Sequence, residues 1–96
     1  MRCDTLLETI RPLLARPDFQ IRQLGALLVL ADARAPMDFT AVAGELRIPK
    51  PAMTRHLAAL RARNMVADER NEEDRRRIFL GMSVEAYHLL RSMGLS

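Results

Sequence analysis

Between Arg47 and Arg63 the chain carries five basic side chains, Arg47, Lys50, Arg55, Arg61 and Arg63, and no acidic one. Met1 to Leu46 has five basic and six acidic groups, as does Asn64 to Ser96, so each flank nets −1 and the central segment alone sets the total of +3. Concentrated cations neutralise phosphates and release condensed counterions, which makes a polyanion the fitting partner. Fourteen of the fifteen basic residues are arginine, whose planar fork matches phosphate oxygens and guanine edges. A second basic run, Arg75, Arg76 and Arg77, directly follows Glu72, Glu73 and Asp74, so those acids either brace the arginines or are held away from phosphate.

Other chemistries lack their residues. Cys3 is the single cysteine, which excludes an intrachain disulfide or a thiolate zinc site and suits a reducing, cytoplasmic setting. His56 and His88 with the distant Cys3 form no metal-ligand set, so neither a metal nor a cofactor is expected. No nucleophile, base and orienting group recur as a set, which argues against an enzyme. The apolar stretch Leu24 to Ala31 is too short to span a bilayer, and Asp4 and Glu8 interrupt any signal-peptide pattern, so no membrane partner is expected. Tyr87 and the three phenylalanines suit core or interface positions.

The elements that must position the cations follow from periodicity and capping. Ninety-six residues, 49% of them hydrophobic, allow one domain spanning 1–96. Thr5 and Glu8 have capping-box spacing, and Leu6, Leu7, Ile10, Leu13 and Leu14 predict a helix over 5–16. Asp18 is the cap candidate for a helix over 18–33, with Ile21, Leu24, Leu27, Leu28 and Ala31 as its inner stripe and Gly25 at a close helix contact. Asp38 caps a third helix reaching about Leu46, with Met37 placed to pack on Val42. Arg47, Ile48 and Pro49 make a tight connection, and Pro51 suits the first turn of a fourth helix that runs to about Arg63.

Asn64 tolerates the left-handed conformation that stops a helix. Met65 to Arg70 and Arg76 to Met82 form a β-hairpin around the polar loop Asn71 to Arg75. A last helix over 83–94 turns Val84, Tyr87, Leu90 and Met93 to one face. The fold class is mainly α with a small β-hairpin, a winged helix-turn-helix with the helix pair at 38–63 and the wing at 65–82. Met53, Leu57 and Leu60 at i, i+4 and i+7 pack inward and leave Lys50, Ala52, Thr54, Arg55, His56 and Arg61 on the exposed face or its flanks. Small Ala52, Ala58 and Ala59 allow that face to enter a major groove, where Thr54 bonds phosphate or base and Arg55 reads guanine or grips phosphate.

The run from Asp38 through Pro49, followed by Met53-Thr-Arg-His-Leu-Ala-Ala-Leu, resembles the helix-turn-helix of MarR-type regulators. The likeness covers roughly half the chain, and Asn64-Met-Val, the polar turn with Asp74-Arg75-Arg76, and Ile78-Phe-Leu-Gly-Met-Ser resemble the same family's wing. Pro49 stands where the family has a small hydroxyl residue, and Asn64 where it has glycine. The resemblance implies that Asp74 braces the wing through Arg76, and that Arg75, Arg76 and Arg77 serve the minor groove. It also implies a repressor acting on duplex DNA.

The leucine-rich terminal helices exceed what a small core needs, which predicts a homodimer and an inverted-repeat site. Arg55-His56-Leu57 is similar to ArsR-type repressors as well, without their metal ligands. Whether a small-molecule effector binds is left open. The alternative is a winged-helix module that binds a protein partner through its hydrophobic helices, its basic face only solubilising.

Overall fold

Leu27, Val42, Met53, Leu57, Leu60 and Leu80 lose all solvent exposure, and the chain folds so that helices and sheet meet around them. The computed structural model describes residues 2–16, 18–70, 73 and 77–95, Arg70 by its backbone alone. Among these the order is α1 (Cys3–Leu14), α2 (Ile21–Ala33), β1 (Met37–Asp38), α3 (Phe39–Leu46), α4 (Lys50–Ala62), β2 (Val66–Arg70), β3 (Ile78–Met82) and α5 (Val84–Ser92). Among the described residues no helix is long and apolar enough to cross a membrane.

The hairpin proves to be part of a three-stranded antiparallel sheet in the order β1-β3-β2. The two residues of β1 pair as Met37 with Leu80 and Asp38 with Phe79, so β3 lies in the middle. A two-residue strand has no periodicity of its own and forms only because β3 offers a free edge. On the other side Val66 pairs with Met82, Asp68 with Leu80 and Arg70 with Ile78. Leu80, shared by both registers, is the sheet's fully buried residue.

Two predicted helix starts differ. α1 begins at Cys3, and in place of a Thr5–Glu8 capping box the Asp4 carboxylate accepts from the Thr5 N–H at 2.9 Å while Glu8 binds Arg11 at 2.7 Å. α2 begins after Gln20 and not at Asp18, because the buried Gln23 side chain accepts from the Gln20 N–H at 3.3 Å. The Asp38 cap forms as the sequence predicts, accepting from the Thr40 N–H at 2.8 Å, and Ser83 caps α5 by accepting from the Ala86 N–H at 3.2 Å. Gly25 does mark a close approach, since a Cβ there would stand 3.1 Å from Leu46 Cδ2.

The inner faces of α2 and α5 are rotated from their predicted positions. On α2, Leu24 and Leu27 are buried as expected, but Ile21 is 84% exposed and Ala26 and Leu30 take the inner place. α2 is apolar round most of its circumference and packs against α3, α4 and β3, so its neighbours select the buried side. On α5 the buried residues are Ala86, Leu89, Leu90 and Met93, with Val84 66% and Tyr87 52% exposed. α1 buries no residue completely, and its Leu13 reaches only the edge of the core.

The rotated face of α5 sets a test. Leu89→Ala should cost about 2–5 kcal/mol by opening a core cavity. Val84→Ala should stay within about 0.5 kcal/mol, as for other exposed sites. Urea midpoints of the two variants check this, and the reverse ranking would restore the face expected from periodicity.

Candidate nucleic-acid interface

The helix-turn-helix is assembled from one capped end to the other. Asp38 Oδ1 caps α3, and the helix closes at Arg47, which adopts φ 55° and donates its N–H to the Gly44 carbonyl at 3.2 Å. Ile48 follows, buried, with its N–H bonded to the Ala43 carbonyl at 3.1 Å. Pro49 then accepts from the Met53 N–H at 2.9 Å and starts α4, whose second residue Pro51 loses nothing by lacking a donor there. The connection has no slack, so α4 is held at a defined angle to α3.

Met53, Leu57 and Leu60 bury the inner face of α4 as predicted. With 100° between successive residues, the opposite side is the exposed strip Pro51, Arg55, Ala58 and Ala62, with exposed Lys50 and Thr54 toward one flank. Ala58 and Ala62 keep the middle of the strip low, which suits close approach to base edges. Ala52, His56 and Ala59 are half-buried on the other flank. The Thr54 hydroxyl donates back to the Lys50 carbonyl at 2.9 Å, so in this conformation its oxygen has only acceptor capacity left. That favours a base amino group over a phosphate as its partner.

Two of the five central cations are engaged within the protein. Arg61 Nε donates to Asp68 Oδ1 at 2.8 Å and fastens α4 to β2, so it stands on a flank and not on the open strip. The Arg63 guanidinium lies 5.6 Å from the centre of the Phe19 ring and ties the end of α4 to the segment before α2. Asn64 holds φ 56° as predicted, and the Met65 N–H returns to the Leu60 carbonyl at 2.9 Å to end the helix. The side chains of Arg47, Lys50 and Arg55 make no hydrogen bond, ion pair or ring contact among the described residues. The basic segment therefore divides into three solvated cations and two structural ones.

At the wing, Arg77 Nε and Nη2 both reach Asp38 Oδ2 at 2.8 Å, and the guanidinium lies 5.7 Å from the Phe79 ring centre. Asp38 thus caps α3 with one oxygen and holds the base of the wing with the other. The Thr40 N–H, with the Arg77 guanidinium second, keeps the Asp38 carboxyl below the ordinary carboxylate range. Asp74, Arg75 and Arg76 lie outside the described residues, and the expected Asp74–Arg76 brace with them. The ion pairs of Arg61 and Arg77 join residues that no motif links, and the lone acids Asp38 and Asp68 were their only trace in the sequence.

A family model described as the MarR family matches residues 18–77. No curated protein matches the sequence. Among solved structures, the transcriptional regulator PA4135 superposes with a TM-score of 0.78 at 22% identity, over 95% of this chain and 66% of its own. The S. aureus MepR F27L mutant bound to oligodeoxyribonucleotide gives 0.80 at 17% identity, again over 95% and 66%. The PcaV transcriptional regulator from Streptomyces coelicolor, in complex with its natural ligand, gives 0.74 at 21% identity over 80% and 54%. At such identities the likeness is one of fold, the winged helix-turn-helix expected from the sequence. The chain spans roughly half to two-thirds of the length of these structures.

The Asp38 linkage has a defined pH signature. A carboxyl held low in the folded state stabilises it above the unfolded value of about 4, and that contribution is lost as pH falls through the folded value. Asp38→Asn keeps a cap acceptor but not the charge, so its stability should fall less steeply than the parent's below about pH 4. Asp38→Ala removes the cap too and should cost about 0.5–2 kcal/mol at pH 7. Thermal melts across the acid range measure both, and parallel acid limbs for parent and Asp38→Asn would remove the charged role.

Proposed function

Since the chain belongs to the MarR family, which places it among transcription regulators and not enzymes, we propose that it binds specific duplex DNA as a cytoplasmic repressor. The observation that carries this reading is the acid-free strip of α4, where Lys50, Thr54 and Arg55 stand beside low Ala58 and Ala62, backed by a rigid core. Such a helix enters a major groove, with Arg55 placed to pair with guanine and Lys50 with phosphate. Arg75 and Arg76 at the wing serve the narrow minor groove, while Arg77, bound to Asp38, anchors the wing. Bound to its site, the protein blocks access by other proteins, which is repression.

A homodimer is the assembly that the apolar surface supports. Among the described residues every exposed large hydrophobic lies on α1, α2 or α5: Leu6, Leu7, Leu14, Ile21, Leu28, Val84 and Tyr87. None lies on α3, α4 or the sheet. A 12-residue helix is marginal in water by itself, so α1, which buries no residue completely within the chain, gains stability from a partner surface. Two-fold pairing then places two copies of α4 on an inverted repeat, its half-sites about 10 base pairs or a multiple apart.

Selection from random duplexes should enrich an inverted repeat, and affinity for it should fall by about 0.9 log unit per log of salt for each phosphate neutralised. Arg55→Ala should cost about 1–3 kcal/mol and relax one base preference. Weak, salt-insensitive binding with no enriched sequence would instead favour the protein-binding module. Light scattering should find a dimer, and Leu6→Glu with Leu7→Glu should shift it toward monomer; a monomeric parent would remove the inverted repeat.

A further inference from the structure

Three non-glycine residues of the described structure hold a positive φ: Arg34 at 57°, Arg47 at 55° and Asn64 at 56°. Asn64 is a residue type that tolerates this conformation. The two arginines are not, because the β-carbon crowds the following carbonyl. Both cap the C-termini of helices, α2 and α3, where glycine is the usual occupant. A cation near a helix C-terminus complements the macrodipole, a reason that applies to Arg34 and Arg47 alike.

Arg47 differs in its position. It lies on the connection between α3 and α4, three residues before Lys50; like Arg34 it is exposed and has no side-chain partner among the described residues, but only Arg47 stands beside the open strip of α4. Its backbone is clamped, since its own N–H bonds to Gly44 and the next residue, Ile48, is buried and bonded to Ala43. The guanidinium therefore extends from a fixed base, and no contact among the described residues accounts for an arginine in place of the cheaper glycine. A side chain kept where glycine would relieve the strain of an imposed conformation is a pointer to function.

We infer that Arg47 is a phosphate anchor, a positioning residue that grips the duplex backbone and thereby sets how deeply Lys50, Thr54 and Arg55 enter the groove. The inference rests on the reading of α4 as the groove-entering helix. Backbone contacts of this kind fix register and carry no sequence preference of their own.

The test compares the parent with R47G, R47K and R34G, using melting temperature and titrations of a selected and an unrelated duplex at several salt concentrations. R47G should melt no lower than the parent, since glycine relieves the strain. It should bind both duplexes about tenfold more weakly, with a salt slope shallower by about 0.9. R47K should recover most of the slope. R34G, relieved of the same strain at the other cap, should bind as the parent does.

Parental affinity and slope in R47G, or an equal loss in R34G, would overturn the anchor. So would a lower melting temperature for R47G, which would make Arg47 structural. If the parent itself bound no duplex in a salt-dependent way, the DNA reading would fail and the anchor with it. Loss in Arg55→Ala without loss in R47G would overturn the anchor alone.

Discussion

Asp38 gives one carboxylate oxygen to the Thr40 amide and the other to the Arg77 guanidinium. The first bond starts α3, the second holds the approach to β3, and the backbone of Asp38 itself pairs with Phe79 in the sheet. A single residue therefore belongs to the cap, the sheet and the wing. Because α3, its tight connection and α4 follow without slack, the orientation of α4 relative to the wing depends on this point. Charge-assisted bonds to a carboxylate are stronger than neutral ones, which suits a junction that must bear on three elements.

A second ion pair completes the frame from the other side. Arg61 and Asp68 join α4 to β2, and Asp38 and Arg77 join the cap of α3 to the residue that leads into β3, so each helix of the pair is fastened at the wing. Both pairs are partly solvated, and exposed pairs of this kind contribute little to stability. Their importance is geometric: they fix where the wing stands while the core supplies the free energy. Arg61 and Arg77 therefore hold the frame, while Arg47, Lys50 and Arg55 stay solvated, the cations on which the proposed DNA contact rests.

The apolar surface divides in a complementary way. The helix pair and sheet keep their large hydrophobic groups inward, whereas α1, α2 and α5 leave several outside. The strip proposed to meet DNA and the exposed apolar groups therefore lie on different elements, the division that the proposed symmetric regulator needs. Since both sides meet at the buried cluster of Leu27, Met53 and Leu57, rigid packing there links the two.

From the sequence alone come the features that depend on neighbours within one or two helical turns. The Asp38 cap, the inward face of Met53, Leu57 and Leu60, the stop at Asn64 and the concentration of cations at Arg47 to Arg63 are all local. What only the tertiary structure decided depends on partners far apart in the chain. Asp38 and Arg77 are 39 residues apart, β1 exists only as an addition to β3, and α2 and α5 carry apolar residues on so many sides that their neighbours choose which to bury. The positive φ of Arg47 also escaped, because its residue type argues against a conformation that the packed Ile48 and the two flanking helices impose.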